Sequence, residues 1–130
     1  MSPDAPTSRI SVRTRGGTFL IELDRSDLTD ELWLSLPYEG KLNMLGSMIY
    51  FELPVRDRQE GDLLSLEVGD VAWWPEVDAL CLFFGPTPLS GEDGRPVSAY
   101  PLRRIGRLLG DYAGLEHSGD GGSILLERAF

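Results

Sequence analysis

The most constraining feature of this chain is a twenty-residue stretch, Gly69 to Pro88, with the sequence GDVAWWPEVDALCLFFGPTP. It contains two apolar runs, Val71–Trp74 and Ala79–Phe84, separated by Pro75 and a three-residue connection. Runs this short and this rich in aromatic residues predict β-strands. Ala79–Phe84 is apolar at every position, which is typical of a strand buried on both faces. The stretch therefore predicts two strands joined by a tight connection.

Adjacent aromatic residues occur at three places in the predicted strands. The pairs are Tyr50–Phe51, Trp73–Trp74 and Phe83–Phe84. Successive side chains of a strand point to opposite faces of the sheet, so each pair places one ring on each face. The outer ring of each pair is either covered by another part of the chain or lines a groove. The sequence leaves both alternatives open and does not say which member of a pair faces outward.

One segment has the period of a helix. In Asp24–Pro37 the leucines 28, 32 and 36 recur at every fourth position, with Trp33 beside them. Ser26 or Asp27 suits the N-cap, and the proline suits the end of the helix. We therefore predict a short amphipathic helix that places its leucine stripe on a core.

The remaining apolar segments are short and favour strands. Gly16-Gly17 is a two-residue hairpin signal, and Gly85–Pro101 is rich in proline and glycine, which predicts a long surface loop. Leu102–Leu109 suits either a helix or a strand, and Gly110–His117 suits a short helix or a turn. The other predicted strands are Arg9–Arg15, Thr18–Leu23, Gly40–Leu45, Met48–Leu53 and Ser123–Phe130. This pattern is typical of a mainly β domain, a barrel or a sandwich.

The length of 130 residues predicts one domain, with a flexible tail over residues 1–8 and a single domain over residues 9–130. The chain has one cysteine, Cys81, so an internal disulfide is impossible. The N-terminal segment lacks the basic start and apolar run of a signal peptide. A reducing compartment suits this composition, and we expect a cytoplasmic protein.

The net charge of −9 argues against nucleic acid and anionic membranes as partners, because both select for positive surfaces. One basic cluster is present, at Arg103, Arg104 and Arg107. It suits either an anion site or ion pairs within the molecule, and in an acidic chain the second reading is favoured. The expected partner is therefore a small molecule or a peptide, with a homodimer as a further possibility.

Counting residues removes most catalytic and metal sites. His117 is the single histidine and lies in a polar, glycine-rich turn, while Cys81 lies inside an apolar run and is expected to be buried and inert. One cysteine and one histidine cannot form a usual zinc site. Neither SGEDG nor SGDGG has the alternating ligands of a calcium loop. The sequence predicts no catalytic residue, no metal and no cofactor.

The residues GDVAWWPEVDALCLFFGPTPLS, PVSAYPLRRIGRLLGDYAGL and NMLGSMIYFELPV resemble the small prokaryotic cyclophilin-like proteins. The resemblance runs from Arg9 to Phe130. It implies a closed eight-stranded β-barrel with one or two short helices covering its ends. It also implies that Leu102–Leu109 is a strand. Members of this family are in general proteins without an assigned activity.

The chain departs from the pattern of the family that it resembles at two places. Leu45 stands where the family tends to have tryptophan, and Ser47-Met48 replace an acidic pair. True cyclophilins carry an arginine in a strand motif, where it polarises the prolyl amide and so lowers the barrier of about 20 kcal/mol to its rotation. The corresponding strand here, MIYFELPV, has no arginine, and Arg56 follows only in the next loop.

We therefore predict a non-catalytic module that binds a small molecule or an extended, proline-containing peptide in an aromatic groove. A weak peptidyl-prolyl isomerase and a homodimer-forming structural protein are the alternatives. The predicted ligand-binding residues are Asn43, Tyr50, Phe51, Trp74, Phe83, Phe84, Thr87 and Ser90.

Overall fold

The computed structural model describes residues 7–57 and 59–130. Within these residues, ten strands, one α-helix and one short 3-10 helix (Ala113–His117) follow one another. The strands and the helix, in chain order, are β1 Thr7–Thr14, β2 Gly17–Asp24, α1 Asp27–Leu34, β3 Tyr38–Lys41, β4 Asn43–Leu45, β5 Met48–Glu52, β6 Leu63–Ser65, β7 Asp70–Trp74, β8 Ala79–Phe83, β9 Val97–Leu109 and β10 Ser123–Ala129.

The fold is mainly β, as predicted, and its strands pair antiparallel in the order β3-β10-β1-β2-β9-β7-β8-β5-β4, with β6 paired to β9. The resemblance implied a closed eight-stranded barrel, and the described sheet differs from it in having ten strands and in not being closed by hydrogen bonds. Among the described residues no ladder joins β3 to β4, the two ends of this order. These strands are consecutive in the chain and are linked through Leu42, whose backbone pairs with Gly121 and Gly122. The chain itself thus carries the sheet from one end of the order to the other.

Several predicted boundaries shift. The segment predicted as the strand Gly40–Leu45 is divided at Leu42 into β3 and β4, and β6 was missed because it is only three residues long. Strand β9 begins at Val97, so the predicted loop over residues 85–101 ends at residue 96. Of the predicted tail, residues 7 and 8 belong to β1, while residues 1–6 lie outside the described residues.

The β1–β2 hairpin turns one residue earlier than predicted. Thr14 pairs with Gly17, so Arg15 and Gly16 form the turn. Gly17 has a φ of 138°, a region that residues with a Cβ rarely enter. Its place at the start of β2 therefore depends on glycine.

The predicted helix is present but shorter than expected, ending at Leu34 instead of at the proline. Ser26 is the N-cap: its hydroxyl accepts a hydrogen bond from the Thr29 backbone, and the Thr29 hydroxyl accepts one from the Ser26 backbone. This reciprocal pair satisfies backbone donors that the first turn leaves unpaired. The buried face carries Leu28 and Leu32, which join the core.

The buried side chains form two separate clusters. The larger one, the main core, is built from inward-facing residues of the long strands together with the leucines of α1 and Leu115 of the 3-10 helix. The smaller one, the second core, lies on the outward-facing side of β5, β7 and β8, and contains Met48, Phe83 and Leu102. The first half of β9 therefore supplies part of the cover over the outer side of the sheet. No helix among the described residues is long and apolar enough to cross a membrane.

Candidate functional site

The aromatic pairs divide between the two cores as strand alternation predicts. Phe51 and Trp73 are fully buried in the main core. Their neighbours Tyr50 and Trp74 lie on the opposite face, against the second core, and remain half-buried. In the third pair the order is reversed, because Phe83 lies in the second core. The outer rings are thus partly covered and partly available.

The partly available rings form one continuous group. Tyr50 and Trp74 meet edge to face with centroids 5.5 Å apart, and Trp74 stacks on Tyr100 with centroids 5.4 Å apart and an interplanar angle of 22°. Tyr100 is 48% exposed. We call Tyr50, Trp74 and Tyr100 the aromatic surface. The buried indole Nε1 of Trp74 has no hydrogen-bond partner among the described residues, so the ring is held by packing rather than by its polar edge.

The backbone around Tyr100 is held by a local turn. The Ser98 hydroxyl donates to the Tyr100 carbonyl oxygen at 2.6 Å and accepts from the Tyr100 N–H at 3.1 Å. Both bonds lie at the start of β9, where the pairing with β6 shifts register. The ring is therefore presented by an ordered backbone although its side chain is half exposed.

A shallow cleft of about 210 Å³ adjoins the aromatic surface. It is lined by Pro75 and Pro101, the residues that follow Trp74 and Tyr100, and by the exposed carboxylates of Glu60 and Glu76. The rings are thus bordered by an acidic cleft with apolar walls.

Two of the predicted ring positions lie in the interior. Phe51 and Phe83 are both 0% exposed and belong to different cores. They cannot line one open groove in this structure, and their placement corrects that part of the prediction. Phe51 faces the main core, whereas Phe83 lies in the second core with Leu66 and Leu102, which come from segments distant in the chain.

Two predicted polar contacts hold a loop. The Thr87 hydroxyl donates to the Val97 carbonyl oxygen at 2.6 Å, and the Ser90 hydroxyl donates to the Arg95 carbonyl oxygen at 2.6 Å. Thr87 is also buried. Both hydroxyls therefore brace the loop between β8 and β9. Asn43, in contrast, is exposed, and its amide lies 3.4 Å from the Tyr50 carbonyl oxygen, next to the aromatic surface.

Phe84 lies apart from the aromatic surface, half-buried at the edge of the main core. It lines a cleft of about 500 Å³ between the β8–β9 loop and the segment before the 3-10 helix. Tyr112 supplies a second ring, and Asp111 and Glu116 supply carboxylates. We call this the Phe84 cleft.

The basic cluster is paired within the molecule, as favoured from the sequence. Arg103 lies 2.6 Å from Asp57, and the next two arginines pair with Asp70 at 2.8 Å and with Glu22 at 3.1 Å. These ion pairs engage the guanidinium groups that an anion site would need.

Cys81 is buried, as predicted, and burial raises the pKa of its thiol well above the ordinary value because the thiolate loses its hydration. His117 is exposed and lies 3.2 Å from Glu116. Within the described parts of the chain, no group of histidine, cysteine and carboxylate side chains could hold a metal ion.

Comparison with known proteins decides the family. The profile of the cyclophilin-like family matches residues 8–127. The chain belongs to the cyclophilin-like family. A solved relative, the hypothetical protein AF2241 from Archaeoglobus fulgidus, was determined in solution and is 32% identical, with a TM-score of 0.77 over 99% of this chain and 100% of that one. No functionally curated protein matches the chain.

Of the three rings of the aromatic surface, Tyr50 and Trp74 are among the predicted ligand-binding residues, whereas Tyr100 is not. The residue was assigned to the loop because prolines stand at positions 96 and 101. Proline is tolerated in a strand at an edge or a bulge, and Pro101 lies where the pairing with β6 shifts register. A tyrosine next to such a proline was the feature of the sequence that could have indicated a ring on the surface of a strand.

Proposed function

We propose that the protein is a non-catalytic binding module that takes an extended, proline-containing peptide on its aromatic surface. The observation that carries the proposal is the stack of Trp74 on Tyr100, with the second ring half exposed at the end of the row. Flat aromatic rings side by side are the surface on which proline-rich segments dock, because a polyproline helix is already ordered before binding.

The charges around the rings indicate which residues the peptide carries beside its proline. Glu60 and Glu76 line the adjoining cleft, and Glu52 is exposed on β5 two residues after Tyr50. A basic residue beside the proline would gain from these carboxylates and associate faster at low salt. The proposed ligand is therefore a proline-containing segment with lysine or arginine next to the proline.

The absence of a suitably placed arginine supports binding without isomerisation. Arg56 has a side chain that is 90% exposed and lies 3.9 Å from Asp78. Among the described arginines, the one found over an aromatic ring is Arg128, which lies over Trp33. An isomerase assay coupled to chymotrypsin should therefore give only the uncatalysed rate, and a faster rate would contradict the non-catalytic assignment.

The binding proposal is tested by titrating proline-containing basic peptides against intrinsic tryptophan fluorescence. Matched peptides carry alanine in place of proline. We expect a saturable change with the proline peptides alone. Tyr100→Ala removes the partner of the stack and should weaken binding about three- to tenfold, the range of an aromatic pair.

Two tryptophan variants show which ring reports the binding. Trp74→Phe should remove most of the fluorescence change, whereas Trp33→Phe, on α1, should leave it intact. No saturable change with any peptide of such a library would overturn the proposal. The same titration followed by amide NMR shifts locates the site. Shifts confined to the Phe84 cleft would place the binding site there instead of on the aromatic surface, and would favour a small-molecule ligand, because the volume of that cleft is within the usual range for such ligands. Light scattering on the same samples reports whether two copies associate.

A further inference from the structure

We propose that a second site, on the opposite strands of the barrel, binds a small anionic molecule through its phosphate group. The site is a cleft of about 650 Å³ beside β1 and β10. Its walls are Arg13 and Arg15 of the first hairpin, the glycine-rich loop 118–122, and the start of β10. We call it the arginine–glycine cleft. It shares no residue with the aromatic surface.

Arg13 and Arg15 differ from most of the other described arginines, because neither has a carboxylate or carbonyl partner. Seven arginines are salt-bridged, and Arg128 donates to the carbonyl oxygen of Trp33. Within residues 7–57 and 59–130, neither Arg13 nor Arg15 forms a salt bridge, and both are exposed. In a chain with 21 acidic and 12 basic residues, two guanidinium groups that form no salt bridge beside one cleft are available to an anionic ligand.

Two acidic residues, Asp120 and Glu39, also line the cleft, but in the described part of the chain neither forms a salt bridge with Arg13 or Arg15. Asp120 points its carboxylate at the backbone of β4, where Oδ1 accepts from the Met44 N–H at 2.8 Å. Glu39 also lines the cleft, but Leu125 stands between it and Arg13 in the register of the sheet. Arg13 and Arg15 are two positions apart on β1 and its turn, so both guanidinium groups are available to one ligand.

The loop brings its backbone close to one of the arginines. A Cβ at position 119 would lie 2.6 Å from Nη2 of Arg15, so the loop backbone passes close to this guanidinium group. Gly119 and Gly121 have φ angles of 80° and 79°, which favour glycine.

The cleft is also held in place before any ligand arrives. The buried hydroxyls of Thr14 and Ser118 are hydrogen-bonded at 2.7 Å and tie the loop to β1. The N–H of Gly121 donates to the Leu42 carbonyl oxygen, and that of Gly122 to the Gly119 carbonyl oxygen. A site that needs little reordering loses little affinity on binding.

The chemistry of the walls selects the ligand class. Planar guanidinium groups bind phosphate oxygens in pairs of parallel hydrogen bonds. The cleft is far larger than a phosphate ion, and half-buried Leu125 offers apolar surface to an organic group. Two arginines in a −9 chain are too few to follow a nucleic-acid backbone. The ligand is thus a small phosphate monoester.

The test is a titration of the protein with inorganic phosphate and with glycerol 3-phosphate, at constant ionic strength, followed by amide NMR shifts. Uncharged glycerol is the control ligand. We expect saturable shifts in residues 118–123 with both phosphates and tighter binding of the monoester. Arg13→Gln and Arg15→Gln should each weaken binding about tenfold or more, the effect of losing one charge-assisted pair.

Two further variants separate this site from general charge effects. Arg9→Gln removes an arginine on the same strand that is salt-bridged to Glu22, and it should leave phosphate binding unchanged. Arg15→Lys keeps the charge and loses the planar fork, so its affinity should be intermediate. No saturable shift at millimolar phosphate, or equal weakening by Arg9→Gln, would overturn the site. An unchanged affinity for phosphate in Arg15→Lys would contradict the inference that Arg15 binds phosphate through two parallel hydrogen bonds. Unchanged spectra away from the cleft show that each variant is folded.

Discussion

Replacing Phe83 and Phe84 one at a time by alanine tests the division of the molecule into two cores. Phe83 is 0% exposed and packed in the second core, whereas Phe84 is half-buried at the edge of the main core. Removing a fully buried phenylalanine ring costs about 3–5 kcal/mol, the sum of lost transfer energy and the cavity left behind. A half-buried ring facing a cleft leaves no closed cavity, so Phe84→Ala should cost about 1–2 kcal/mol.

The assay is urea unfolding followed by circular dichroism, with the free energy of unfolding compared at unchanged denaturant slope. For a domain of this size each kcal/mol corresponds to roughly 4 °C, so Phe83→Ala should lower Tm by about 12–20 °C. Phe83→Leu, which refills most of the volume, should recover the larger part of the loss. A cost for Phe84→Ala equal to or above that of Phe83→Ala would refute the placement of the two rings.

Two further predictions concern single positions. Because burial raises the pKa of the Cys81 thiol, the folded state holds the proton longer than the unfolded state; stability should be unaffected below the ordinary thiol pKa of about 8.5 and fall as the pH rises above it. Native protein should also resist a thiol-labelling reagent at neutral pH, and rapid labelling without unfolding would contradict the burial. A Cβ at Gly106 would overlap the carbonyl oxygen of Glu22 on β2, so Gly106→Ala should cost more than about 4 kcal/mol, whereas the matched Gly91→Ala has open space and should be neutral in the same urea assay. Equal stability of the two alanine variants would refute the close approach of β9 to β2.

The local features of the fold were predictable because they depend on neighbouring residues. Strand alternation divided Trp73 from Trp74 between two faces, and the leucine period together with Ser26 placed α1. The family resemblance predicted a strand over Leu102–Leu109, although the apolar residues there are spaced as in a helix, and the structure confirms the strand. In each case the information that decided the prediction lay within a few neighbouring residues or in a short family motif.

The composition of the candidate site was harder to predict because it depends on distant pairing. Whether Phe83 lines a groove is decided by Leu66 and Leu102, which pack against it from segments on either side of β7 and β8 in the chain. No periodicity in Ala79–Phe84 contains that information. The same holds for Thr87, whose hydroxyl binds a carbonyl group ten residues away.

The second core also explains where a ligand can bind on this barrel. Phe83 and Cys81 are buried within it, so they are not accessible to a ligand on the outer face of the sheet. Tyr50, Trp74 and Tyr100 lie at its edge and remain partly exposed to solvent. The arginine–glycine cleft lies on different strands and offers two guanidinium groups instead of aromatic rings. A cationic peptide and a phosphate monoester would therefore bind without competing for the same residues, so each proposal can fail while the other stands.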